Sequence, residues 1–143
     1  MKLAEALQEN SSLRKKISCL REKLEKLSLA GNPGGESPGK LLSDLEESLN
    51  RMEVLVAAIQ HTNALITVDG ETMARLISKR DSLFFRLELY KNLVRKAEKT
   101  GIKDITGMKA SDLQTRIESM LSELRDLDNL IQKTNWTREL VMK

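Results

Sequence analysis

The placement of helix-breaking residues constrains the fold of this chain more than any other feature. Both prolines and four of the seven glycines fall within residues 31–39 (GNPGGESPG), and the remaining glycines are Gly70, Gly101 and Gly107. Because Gly and Pro cost roughly 1 and 3 kcal/mol inside a helix, long stretches without them favour helix. The sequence therefore predicts four helical segments, at about residues 2–29, 40–66, 72–99 and 111–142, with a Gly/Pro loop at 31–39.

Each segment repeats apolar residues at alternating spacings of three and four, the heptad pattern of helices that pack along a seam. Short connections between such helices make consecutive helices antiparallel. We therefore expect an all-α fold, an antiparallel four-helix bundle with long coiled-coil-like helices, forming a single domain over residues 1–143. The seams are Leu3, Ala6, Asn10, Leu13, Ile17, Leu20, Leu24, Leu27; Leu42, Leu45, Leu49, Met52, Val56, Ile59, Asn63, Ile66; Met73, Leu76, Arg80, Leu83, Leu87, Tyr90, Val94, Ala97; and Leu113, Ile117, Met120, Leu124, Leu127, Ile131, Thr134.

Two of the connections carry strand-like signals. Asp69-Gly70 is the dipeptide of a two-residue β-hairpin turn, which predicts a minor hairpin there. Its flanks are short, so a plain helix–helix turn stays open as the alternative. Residues 102–108 (IKDITGM) are also more strand-like than helical. Either segment could instead pair with a neighbouring subunit.

Composition excludes several classes of protein. With one Cys and one His, the chain has no disulfide framework, zinc ribbon, multi-histidine metal centre or redox CxxC pair. His61 has no evident Ser or Cys partner, so we expect no catalytic residue, no metal and no cofactor. The net charge is only +3, and no aromatic residues interleave the basic residues of the first segment, which argues against nucleic-acid binding.

The sequence predicts a cytoplasmic protein. Residues 1–13 contain Glu5, Glu9 and Asn10 where a secretory signal needs an unbroken apolar run. The longest uncharged run, residues 54–68, contains polar side chains and is shorter than the roughly 20 apolar residues of a membrane span. The unpaired Cys19 fits a reducing compartment.

Unusual polar residues interrupt the seams near one end of the predicted bundle. Two interpretations stay open. One is a buried hydrogen-bond network in which Trp136 fills the core and its N–H finds a partner. The other is a small-ligand or partner site around Arg80 and Asp81. The residues at this end are Asn10, Asn63, Asp69, Arg80, Asp81, Gln132, Asn135 and Trp136.

The third segment has more large apolar residues than a narrow seam can bury. Its stretch 83–90 (LFFRLELY) places them around most of the helix. In a four-helix monomer, part of Phe84, Phe85 and Leu89 would remain exposed. We therefore expect self-association into a homo-oligomer.

The net positive charge lies on the first segment. Residues 1–29 contain seven basic and four acidic residues. A solvated helix flank is the simpler interpretation of this pattern. Contact with a polyanion or an acidic membrane surface stays open as the alternative.

Several short stretches, taken together, resemble the septicolysin-like family of small bacterial helical proteins. They are MKLAEAL at 1–7, Thr62-Asn63, DGET at 69–72, RDSL at 80–83, LDNLIQ at 127–132, Asn135-Trp136 and Leu140. The family name implies a cytolysin that acts on membranes. This sequence departs from the family pattern at Gln60, where Asn is expected, and its one candidate for membrane insertion, residues 54–68, is too polar and too short.

Three functional hypotheses follow. The first is a non-enzymatic, self-associating helical-bundle protein that serves as a scaffold or interaction module, with contacts on the third helix and on the outer faces of the second and fourth. The second is a septicolysin-like membrane-active protein that reaches anionic lipid through its basic first helix. The third is a small-ligand site at the Asn63/Arg80/Trp136 end.

Overall fold

The computed structural model describes residues 1–30, 37–101, 104–105 and 108–142. It contains four helices of 28 residues each: α1 (Leu3–Ala30), α2 (Pro38–Leu65), α3 (Met73–Thr100) and α4 (Ala110–Thr137). Four two-residue strands lie in the connections: β1 (Thr67–Val68), β2 (Glu71–Thr72), β3 (Asp104–Ile105) and β4 (Met108–Lys109). The prediction of an all-α fold with four long helices and a minor hairpin is confirmed.

The chain forms two compact units. We call Met1–Leu65 with Asn135–Lys143 the terminal unit, and Ile66–Thr134 the central unit. The terminal unit contains α1, α2 and the end of α4, whereas the central unit contains the strands, α3 and most of α4. The single domain over residues 1–143 stays a prediction.

The second helix begins two residues earlier than its apolar pattern predicts. Pro38 is its first residue, a position where the missing N–H of proline costs nothing and its fixed φ suits a helix. The Ser37 hydroxyl accepts a hydrogen bond from the Lys40 backbone N–H at 3.4 Å. The predicted Gly/Pro loop therefore ends at Ser37, and its residues 31–36 lie outside the described part of the chain.

The hairpin predicted at Asp69-Gly70 is present. Thr67 pairs with Thr72 and Val68 with Glu71 in antiparallel register. Both turn residues have positive φ, 51° at Asp69 and 84° at Gly70, as a type I′ turn requires. The same hairpin starts α3, because the Thr72 hydroxyl accepts a hydrogen bond from the Arg75 backbone N–H at 3.2 Å.

The second strand-like segment also pairs with itself. Asp104 pairs with Lys109 and Ile105 with Met108, so β3 and β4 form an antiparallel pair between α3 and α4. The other residues of the predicted segment, 102–103 and 106–107, lie outside the described part. Helix α3 ends at Thr100, just before this segment, and its C-cap Gly101 has a φ of 74°, the left-handed conformation that glycine adopts without a Cβ clash.

The prediction that the fourth helix continues to residue 142 is wrong. It ends at Thr137, and the residues that follow pair with the start of the chain. The Leu3 N–H donates to the Arg138 carbonyl at 3.0 Å, and the Leu140 N–H donates to the Met1 carbonyl at 2.8 Å. These hydrogen bonds between the two ends of the chain replace the i→i−4 bonds of a longer helix. Apolar periodicity within one segment does not predict such a pairing.

Thr62 joins α2 to this C-terminal segment. Its side chain is fully buried, and its hydroxyl donates to the Ala58 carbonyl at 2.7 Å while accepting from the Val141 N–H at 2.8 Å. The end of α2 and the start of α1 thus both contact residues 138–141, which makes the two helices antiparallel. A second link between them is the two-pronged ion pair of Arg51 with Glu9, with N–O distances of 2.6 and 3.1 Å.

The central unit is built on an aliphatic seam between α3 and α4. Its main cluster consists of Leu83, Leu87, Val94, Leu113, Ile117 and Met120, with Tyr90, Leu121 and Leu124 packed against it. A second cluster, nearer the β1–β2 hairpin, consists of Met73, Leu76 and Ile131. Residues early in α3 share a cluster with residues late in α4, and the reverse, so the two helices are antiparallel.

Replacing Thr62 with Val tests the link to the C-terminal segment. Thr62→Val keeps the side-chain shape but leaves the part-buried Val141 N–H without its acceptor, so we expect a loss of about 1–3 kcal/mol in unfolding free energy. Urea denaturation followed by circular dichroism measures it. The control is Thr115→Val, which removes an exposed hydroxyl bonded only to the Ser111 carbonyl. An equal loss in both variants would contradict the assigned role of Thr62.

The Glu9–Arg51 pair predicts a pH dependence of stability. The hydrogen bond from Arg51 lowers the pKa of Glu9 below its usual 4.5, more than desolvation raises it. The pair therefore stabilises the fold above about pH 4.5, and this contribution is lost as the pH falls through the lowered pKa. We expect Glu9→Gln to cost at most about 1 kcal/mol near neutrality, because the pair is partly exposed, and nothing at low pH. Urea midpoints across pH measure it, with the exposed Glu53→Gln as control; a cost that persists in acid would refute the assignment.

Candidate functional site

The central unit carries an open groove of about 640 Å³ between α3 and α4. Its volume lies within the range of about 300–1,000 Å³ that is common for binding pockets. We call it the α3–α4 groove. It is lined by Arg80, Asp81 and Phe84 from α3 and by Leu121, Leu124, Arg125 and Asp128 from α4.

The wall of the groove is apolar and continuous with the core. Leu121 and Leu124 are half-buried and pack against the main aliphatic cluster. Phe84 lies beside them but keeps 55% of its surface exposed. The groove therefore brings one exposed aromatic ring and two half-buried leucines together at one place.

The rim of the groove is charged and balanced. Arg80 contacts Asp81 through Nε at 3.3 Å and Asp128 through Nη1 at 3.5 Å, and its side chain is only 28% exposed. With Arg125, the rim has two positive and two negative side chains. These contacts hold the Arg80 guanidinium in a fixed position at the edge of the apolar wall.

A second apolar surface lies along α3, outside the groove. Phe85, Leu89 and Leu93 are 66%, 48% and 43% exposed, and they follow one another at four-residue intervals along one side of the helix. We call these three residues the apolar row. The exposure expected for Phe84, Phe85 and Leu89 is confirmed. Leu93 was missed, although its spacing from Leu89 is the signal that identifies it.

The residues of the predicted polar end do not form one hydrogen-bonded set. Arg80 and Asp81 line the α3–α4 groove together with Arg125 and Asp128, two residues that the sequence analysis did not assign to this end. Asp69 lies in the hairpin turn and Gln132 on α4, both exposed in the central unit. The remaining four residues of the set, Asn10, Asn63, Asn135 and Trp136, belong to the terminal unit.

The interpretation of Trp136 as a core residue is wrong. Its side chain is 52% exposed, whereas the preceding Asn135 is buried. At about 100° per residue, Trp136 projects about 140° away from the buried Ile131 around the helix axis. When Ile131 faces the core, Trp136 therefore faces solvent. Asn10 and Asn63 each bury a side-chain oxygen that accepts no hydrogen bond within the described part of the chain. These two residues therefore do not take part in the predicted network.

No helix in residues 1–30, 37–101 or 110–137 is long and apolar enough to cross a membrane. Within the same described part, no three His, Cys, Asp or Glu side chains converge as a metal site would require.

Comparison with known proteins identifies a family and a structural relative. Residues 10–140 match the model of a family of unknown function (DUF6847). The crystal structure of a functionally unknown conserved protein from Corynebacterium diphtheriae is similar to this fold, with 30% sequence identity, a TM-score of 0.87 and coverage of 99% of both chains. No curated protein matches the chain.

The resemblance to the septicolysin-like family is wrong, because the matches place nearly the whole chain elsewhere. The short stretches that suggested it have local structural roles. Asp69 and Gly70 provide the positive φ values of a tight turn, and Thr72 caps the helix that follows. Such signals recur wherever a hairpin precedes a helix. The membrane-active hypothesis rested on this resemblance and is withdrawn with it.

Two substitutions on α3 distinguish its packed side from its exposed side. Leu87 is 1% exposed in the seam, so we expect Leu87→Ala to cost about 2–5 kcal/mol of unfolding free energy by opening a cavity. Phe85→Ala, two residues away, removes a larger but exposed side chain and should change stability by about 0.5 kcal/mol or less. Urea denaturation at low protein concentration measures both. A cost of several kcal/mol for Phe85→Ala would mean that its ring is packed in the monomer.

Proposed function

The chain belongs to the family of unknown function DUF6847, and we propose that it is a non-enzymatic interaction module that self-associates through α3. The observation that carries this proposal is the exposure of four large apolar side chains on one helix. They are Phe84, Phe85, Leu89 and Leu93, each between 43% and 66% exposed. The hydrophobic effect favours removing such a surface from water, at about 25 cal/mol per Å².

The occupant that we propose for this surface is a second copy of the chain. The rim of the α3–α4 groove carries both signs of charge in equal number, Arg80 and Arg125 against Asp81 and Asp128. A two-fold axis brings the same patch of both subunits together, so a positive group of one copy can face a negative group of the other. A partner of one charge sign would be repelled by half of this rim.

The apolar groups are also suited to a two-fold interface. Helix α3 carries the projecting side chains of the apolar row. Through Phe84 it also forms part of a recess, the α3–α4 groove. A surface that contains its own projections and recesses can complement itself. Burial of the apolar row alone, which is about 12 Å long, falls short of the roughly 800 Å² per partner of a stable interface. The proposed contact therefore includes the groove, and the fraction of chain that is associated depends on protein concentration.

We expect the solution mass to rise with protein concentration, and we expect one charge introduced into the apolar row to abolish this rise. Light scattering coupled to size exclusion should give twice the monomer mass for the full chain at high concentration. Leu89→Asp should return it to the monomer mass, because a buried, unpaired carboxylate opposes association. Circular dichroism checks that the variant keeps its helices.

A matched control is Leu42→Asp, which introduces the same charge at an exposed leucine of α2. Leu42 is 52% exposed and Leu89 is 48% exposed, so the two changes are comparable on the surface of the monomer. We expect Leu42→Asp to keep the wild-type mass. A wild-type chain that remains monomeric at every concentration, or a control that dissociates as readily as Leu89→Asp, would refute the proposal.

A further inference from the structure

A second, smaller cavity lies on the other side of α3 and carries a different chemistry. It has a volume of about 200 Å³ and is lined by Arg86, Tyr90, Arg116, Ser119 and Met120, all from the central unit. Arg86 projects about 200° away from Phe84 around the helix, so this cavity is separate from the α3–α4 groove. We propose that this arginine cavity binds a phosphoryl group.

The first argument is uncompensated charge. Arg86 and Arg116 line the same cavity from two helices, and no Asp or Glu lines it with them. Neither guanidinium makes a salt bridge or hydrogen bond within the described part of the chain. Arg80, across the helix, is held by two aspartates in contrast. Two positive side chains that line one cavity without an acidic neighbour favour an anion placed between them.

The second argument is the set of donors. Each guanidinium offers a planar fork of N–H groups that matches the oxygens of a phosphate or carboxylate. Tyr90 and Ser119, which line the same cavity, each carry a hydroxyl that can donate one further hydrogen bond. Four residues with donor groups, from two helices, thus line one small cavity. Met120, only 8% exposed, supplies the apolar contact at the buried side.

The third argument is size and charge of the ligand group. A cavity of about 200 Å³ is below the usual range for a whole small-molecule ligand, so it suits one compact group. Two arginines balance a group of charge near −2, which a phosphate monoester carries at neutral pH and a carboxylate does not. The cavity would take this group from free phosphate or from a phosphorylated small molecule, because both present the same oxygens.

Calorimetric titration of the full chain with inorganic phosphate tests the proposal, at low and constant ionic strength since the arginines are exposed. We expect saturable binding with one site per chain. Arg86→Gln and Arg116→Gln should each weaken it by about tenfold or more, through loss of charge-assisted hydrogen bonds. The control is Arg14→Gln, which removes the same charge from an exposed position on α1, outside the central unit. It should bind phosphate as the wild type does.

A parallel titration with O-phosphoserine distinguishes the two sources of the group. Tighter binding of the ester identifies a phosphorylated molecule as the ligand, and tighter binding of inorganic phosphate identifies the free ion. Binding of O-phosphoserine should weaken below about pH 6, where its phosphoryl group becomes singly charged. The proposal is overturned if neither compound binds saturably, if chloride at equal ionic strength competes equally well, or if Arg14→Gln weakens binding as much as the cavity variants do.

Discussion

The packing of α3 against α4 fixes the rotation of both helices, and every surface of the central unit depends on it. Leu83 and Leu87 lie on the buried side of α3, opposite Ile117 and Met120 of α4. Once this side is set, the spacing of about 100° per residue determines where the neighbouring side chains project. Phe84 turns to the α3–α4 groove, Phe85 to the outer side of the helix, and Arg86 to the arginine cavity. Three consecutive residues of the sequence thus serve three different surfaces.

The two cavities beside this seam differ in how their arginines are neutralised. In the α3–α4 groove, Arg80 lies between Asp81 and Asp128, so its positive charge is neutralised within the chain. What this groove leaves exposed to solvent is its apolar wall. In the arginine cavity, Arg86 and Arg116 have no acidic neighbour in the lining, so the charge itself remains to be satisfied. The two proposals, a self-complementary contact on one side of this helix pair and an anion site on the other, rest on this difference.

The incorrect resemblance to the septicolysin-like family shows that short motifs in this chain reflect local structure and not family membership. The stretch 69–72 combines a type I′ turn with a helix cap, and the hydroxyl of Thr62 joins α2 to the C-terminal segment. Each motif has a local physical reason that does not depend on membership of one family. The family match over residues 10–140 and the structural similarity at a TM-score of 0.87 are stronger evidence than these motifs, because each covers nearly the whole chain.

Features that depend on neighbours along the chain can be predicted from the amino-acid sequence. Helix positions follow from apolar periodicity and the absence of Gly and Pro, the hairpin follows from Asp69-Gly70, and the surplus of apolar residues on α3 follows from counting how many a seam can bury. Features that join distant segments are visible only in the folded chain. These are the end of α4 at Thr137, the outward position of Trp136, the Arg80–Asp128 contact and the convergence of Arg86 with Arg116. They depend on the rotation of one helix against another and on pairing between the chain ends, and residue periodicity within a single segment does not specify either.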